Sequence, residues 1–145
     1  MTIYQVLRED HKKFRALFDQ VKETTERAEK TREEILEKLE QTLLPHAKAE
    51  EKVLYSRLQK EDETEAVSLE AIEEHRVAER LLKELRALPV TDPHWTAKME
   101  VLRESVEHHL EEEEDEMFEK AREVLSEEEA HTLAEAFIQA KEQQK

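Results

Sequence analysis

Apolar residues recur along this chain at intervals of three and four, the spacing that lines one face of a helix. Ile3, Leu7, Phe14, Phe18 and Val21 form the first stripe, and Thr2 with Gln5 ahead of it has the form of a capping box; together they predict a helix over about 3–28. A second helix, about 31–60, carries Ile35, Leu36, Leu39, Leu43, Val53, Leu54 and Leu58, with Pro45 expected to kink it or break it locally. Lys60 to Thr64 reads as a turn. Ala71, Ile72, Ala78, Leu82 and Leu85 mark a third helix at about 66–88, stopped by Pro89. Asp92-Pro93 supplies an N-cap and a first-turn proline for a fourth, about 93–125, through Leu102, Val106, Leu110, Met117 and Val124. Ser126 and Glu129 resemble a second capping box before a shorter helix at about 127–143, with Ala130, Leu133, Ala134, Phe137 and Ile138 inward. Short connections make consecutive helices antiparallel neighbours. The predicted architecture is therefore all-α: an up-down-up-down four-helix bundle over about 3–125 with an additional short C-terminal helix packed outside, one domain over 1–145.

The pattern also repeats. Aligning His46 with His109 matches Glu50 to Glu113, Glu51 to Glu114, Leu54 to Met117 and Tyr55 to Phe118. Aligning His11 with His75 matches Asp10 to Glu74, Lys12 to Arg76 and Phe18 to Leu82. Two related hairpins in one bundle place equivalent side chains around a common axis, a natural way to build a site for two metal ions.

Composition supports long helices and narrows the partners. Gly is absent and 42% of residues are charged, which suits helices joined by short turns. A net charge of −15 makes nucleic acid and anionic membrane surfaces poor partners, because both require a basic face. No apolar run is long enough to span a bilayer, and the N-terminal segment shows no signal-peptide pattern, so the cytoplasm is the expected compartment. Without Cys, thiolate zinc sites, iron–sulfur clusters and cysteine nucleophiles are excluded.

Four histidines interrupt the apolar stripes, one per bundle helix: His11, His46, His75 and His109. Helix lengths put them within about one turn of a common depth at ~1.5 Å per residue. His46–Glu50, His75–Glu79 and His109–Glu113 are pairs at i and i+4, which share a helix face, whereas His11 is followed at that spacing by Arg15. Buried carboxylates are costly without compensation, so Glu50, Glu79 and Glu113 in one core call for a cation. Imidazole and carboxylate without sulfur suit iron, manganese or zinc. The residues three before His46, His75 and His109 are Leu43, Ile72 and Val106, so the Glu-x-x-His pattern of ferritin-like bundles is missing, as is His-Glu-x-x-His. His108 is rotated about 100° from His109 and is expected in solvent or behind a ligand, and His94 and His131 are expected at the surface. Tyr55, Phe118, Phe14 and Phe18 are expected to be core packing.

Asp10-His11, His46-Ala47-Lys48-Ala49-Glu50-Glu51, Glu74-His75 and His108-His109-Leu110-Glu111-Glu112-Glu113-Glu114 together resemble the bacterial hemerythrin-like proteins of the HHE cation-binding family. The likeness covers about residues 3–125, and the tail is similar to the extra C-terminal helix of some members. It implies a non-haem di-iron centre, two Fe ions bridged by oxo or hydroxo and by two carboxylates. Carried over by position, His11 and His46 would bind one iron, His75, Glu79 and His109 the other, and Glu50 and Glu113 would bridge. Hemerythrins that carry oxygen have a histidine where this chain has Glu79. They also place the last carboxylate five residues after its histidine, which would select Glu114 in place of Glu113. The expected role is binding or reacting with oxygen-like ligands (dioxygen, peroxide, nitric oxide) for sensing, storage or detoxification, with ligand binding favoured over enzymatic turnover. The alternatives are an iron-handling bundle, a di-iron peroxidase or oxidase, and a metal-free bundle that binds a partner. Monomer and dimer are both compatible with the pattern.

Overall fold

Each helix start signalled in the sequence is used. Thr2 accepts the Gln5 N–H at 3.3 Å while Gln5 Oε1 accepts the Thr2 N–H at 2.9 Å, a complete capping box. Asp92 accepts the His94 N–H at 2.8 Å ahead of Pro93, and Ser126 accepts the Glu129 N–H at 3.1 Å. The computed structural model describes residues 1–144, which form five helical rods. Rod α1 is Ile3–Lys22. Rod α2 runs Glu29–Glu50, passes through one π-helical turn at Glu51–Tyr55 and finishes with Ser56–Leu58. Rod α3 is Asp62–Arg86. Rod α4 runs Pro93–Glu112, takes a second π-helical turn at Glu113–Met117 and ends with Phe118–Val124. Rod α5 is Glu127–Gln143. Among the described residues there is no strand, and no helix is long and apolar enough to cross a membrane.

Local expectations fail at the end of α1, at Ile138 and in the turn expected over Lys60 to Thr64, where α3 has already begun. Rod α1 stops at Lys22 rather than near 28, because nothing apolar follows Val21 and the Thr24 hydroxyl donates to the Val21 carbonyl at 2.5 Å. Pro45 lies inside α2 without breaking it, and a π turn follows just beyond Glu50. Ile138, expected inward, is 45% exposed. Rod α3 begins at Asp62, where Asp62, Glu63 and Glu65 fill a first turn that favours negative charge.

Packing divides the bundle into two apolar layers with polar residues between them. One layer holds Phe14, Phe18, Leu39, Leu82, Leu85, Trp95 and Leu102. The other holds Ile3, Leu7, Leu54, Tyr55, Leu58, Phe118 and Phe137, the last from α5, which packs on α1 and α2. His11, His46, Glu50, His109 and Glu113 are buried as well.

Candidate metal centre

The histidines at one depth on four rods face one another across the bundle axis. The ring centroids of His11 and His46 are 5.6 Å apart, and those of His75 and His109 are 4.8 Å apart. All four rings are held the same way. Each Nδ1 meets a carboxylate from a neighbouring rod: His11 with Glu114 at 2.6 Å, His46 with Asp10 at 2.8 Å, His75 with Glu51 at 2.9 Å and His109 with Glu74 at 2.6 Å. An ionised carboxylate only accepts, so each bond fixes a proton on Nδ1 and turns the Nε2 lone pair inward, the orientation a metal ligand needs. The inward nitrogens converge on two carboxylates. Glu50 Oε1 is 3.2 Å from His46 Nε2 and 3.1 Å from His75 Nε2. Glu113 Oε1 is 3.0 Å from His11 Nε2, and its Oε2 is 3.6 Å from His109 Nε2.

These four outer carboxylates obey the repeat. Asp10 and Glu74 are equivalent, and each precedes its own rod's histidine while bonding the histidine of the next rod. Glu51 and Glu114 are equivalent, and each follows an inner glutamate while bonding across to the other hairpin. Sequence reasoning singled out none of the four for this role, although the matched pairs Asp10/Glu74 and Glu51/Glu114 were the available signal.

The donor set fits a metal pair. Both carboxylate oxygens of fully buried Glu50 lack a hydrogen-bond partner, even though two imidazole nitrogens lie near Oε1. Close approach without hydrogen-bond geometry is what ligands converging on a shared cation look like, and an orphaned buried carboxylate is otherwise costly. Inner atoms of His11, His46, Glu50 and Glu113 lie within 4.8 Å of one another, as do those of Glu50, His75 and His109. Electrostatics agree. Burial alone would lower the His46 imidazole, yet Glu50 and Asp10 beside it raise it to about 9. Burial is likewise outweighed at His75, where Glu50 and Glu51 raise the ring to about 10. Burial pushes Glu50 up, but His46 and His75 hold it well below the usual carboxylate range. Asp10 is lowered to about 2, its burial outweighed by His46 and Lys141.

The structure does not bring every predicted ligand to the cluster. Glu79 sits apart, its side chain 39% exposed and its Oε1 3.8 Å from Lys83 Nζ. The cause is chain direction. Rods α2 and α4 run opposite to α3, so four residues past the histidine moves ~6 Å one way along the axis for Glu50 and Glu113 and ~6 Å the other way for Glu79. Between the alternatives at the end of α4, Glu113 points inward and Glu114 takes the outer nitrogen of His11. Tyr55 packs in the core as expected, and its hydroxyl also donates a short hydrogen bond to Glu113 Oε2 and lies 3.5 Å from His109 Nε2. His108 is exposed beside Glu112, and His94 and His131 are at the surface.

An apolar cavity of about 40 Å³ adjoins the rings of His46, His75 and His109. Its wall is made by Phe14, Leu43, Leu82, Val106 and Leu110, and Glu79 stands in its lining. That volume holds a molecule of two or three heavy atoms.

No solved structure matches the chain. It is similar to a protein of Nostoc sp. (strain PCC 7120) named DNA nickase, 30% identical over 144 residues, a stretch covering 97% of this chain but 39% of the Nostoc protein. The family model for the hemerythrin HHE cation binding domain matches residues 2–121, which takes in α1 to α3, nearly all of α4 and every residue of the centre, and the chain belongs to that family.

Proposed function

We propose that the chain holds two iron ions, one on His11 and His46 and one on His75 and His109, with Glu50 and Glu113 shared between them. Small oxygen-type ligands, namely dioxygen, peroxide or nitric oxide, are sensed, stored or removed there, in the cytoplasm. When bound, an iron pair supplies one-electron redox steps and open positions for such ligands. The chain's own residues do the rest. Asp10, Glu51, Glu74 and Glu114 hold the proton on each outer nitrogen and aim the inward nitrogens at the metal positions, and Tyr55 steadies Glu113. Phe14, Leu82 and Val106 line the approach with apolar surface and limit water. The observation that carries this reading is the small apolar cavity set against three of the four histidines. DNA has no place in it, because a chain of net charge −15 repels the phosphate backbone. The test is metal analysis with visible spectra before and after reduction and after exposure to air, peroxide or nitric oxide. Two irons per chain and ligand-dependent spectra are expected. Loosely held iron with ligand-insensitive spectra would favour iron handling instead.

A further inference from the structure

Resting on the two-iron reading, we infer that the two metal positions are unequal by construction and that Lys141 on α5 and Arg15 on α1 set the difference. The ion on His11 and His46 is the more weakly held. The four outer carboxylates form two equivalent pairs by the repeat, but within each pair their own partners differ. Both oxygens of Asp10, which backs His46, lie 2.9 Å from Lys141 Nζ, with Lys13 Nζ a further 3.8 Å from Oδ1. Glu114, which backs His11, lies 3.1 Å from Arg15 Nη1. Glu51 and Glu74, which back His75 and His109, have no Lys or Arg within ion-pair distance among the described residues.

A carboxylate on Nδ1 makes the ring a stronger donor at Nε2, and a cation sharing that carboxylate takes part of the effect away. It also places positive charge behind the ring, opposing an incoming dication. Both terms act on His11 and His46 and spare His75 and His109. The residues responsible are those that break the repeat. Arg15 is the counterpart of Glu79, and α5, which carries Lys141, has no counterpart in the second hairpin. A helix outside the bundle thus reaches the centre through Lys141, Asp10 and His46. Lys141 and Arg15 act as positioning and tuning residues, not ligands.

The experiment loads the full chain anaerobically with ferrous iron and follows its release into a ferrous chelator. Two irons should leave in two phases. Lys141→Met and, independently, Arg15→Met should slow the fast phase by about 3- to 10-fold and leave the slow phase alone. Lys141→Arg should restore the original rate. The sign separates tuning from scaffolding, since a lysine that merely pins α5 in place would release iron faster when removed. A faster fast phase in Lys141→Met, or one common rate for both ions in the unmodified chain, overturns the inference and leaves the two-iron reading standing. Fewer than two irons bound by the unmodified chain overturns both.

Discussion

A metal-binding imidazole almost always donates its second N–H to a partner that fixes its orientation, and here each of the four rings has a carboxylate for that purpose. This role divides glutamates that look alike in the sequence. Glu50 and Glu51 are neighbours, yet one points to the axis and the other holds the back of His75. Glu51→Ala and Glu74→Ala should therefore lower iron affinity on the order of 10- to 100-fold, read by competition with a chelator. Glu79→Ala should leave two irons in place, and loss of one would return Glu79 to the ligand set. The i, i+4 rule placed Glu79 with the others because it fixes a face and says nothing about direction along the axis. Direction follows from the antiparallel order of the rods, which was itself legible. What the spacing could not show is how far a flexible glutamate side chain reaches.

Among the elements, the two π-helical turns and α5 shape the centre. One π turn begins at Glu51, just past the inner Glu50, and the other at the inner Glu113 itself, and the extra residue brings Leu54 and Tyr55, or Met117 and Phe118, into the core as adjacent pairs. Adjacent buried apolar residues were the visible trace of this shift, which a fixed period of 3.6 absorbs without notice. Helix starts were legible because Thr2, Asp92 and Ser126 satisfy orphan N–H groups locally. The end of α1 was not, because the Thr24 hydroxyl bond that accompanies it leaves no comparable pattern. Rod α5 contributes fully buried Phe137, whose ring lies 5.4 Å from that of His46. Phe137→Ala should cost about 3–5 kcal/mol in denaturant unfolding of the metal-loaded chain, as for other buried aromatics cut to alanine. A loss below about 1 kcal/mol would mean that α5 is an appendage rather than part of the core.

At the scale of the whole molecule, the centre without metal is a set of buried histidine–carboxylate pairs inside a chain of net charge −15. Three buried glutamates repelling one another would make acid stabilise the stripped protein by neutralising them. The geometry gives the same sign by a different route, because only Glu50 and Glu113 are inside and protons go to the rings. His46 and His75 have folded-state values of about 9 and about 10 against an ordinary 6.5, so the stripped protein takes up protons on folding. Their contribution is complete below the ordinary value and is lost as pH rises through about 9 and about 10. Metal binding runs the other way, since each ring must give up its Nε2 proton to bind. The melting temperature of the stripped chain should therefore fall between ~pH 6.5 and ~pH 10. That of the loaded chain should hold or rise over the same window, so the two curves separate with increasing pH. Thermal melts of both forms across this range check it. A stripped protein that gains stability toward alkaline pH would mean that the rings stay neutral, and that Glu50 is balanced by something other than His46 and His75.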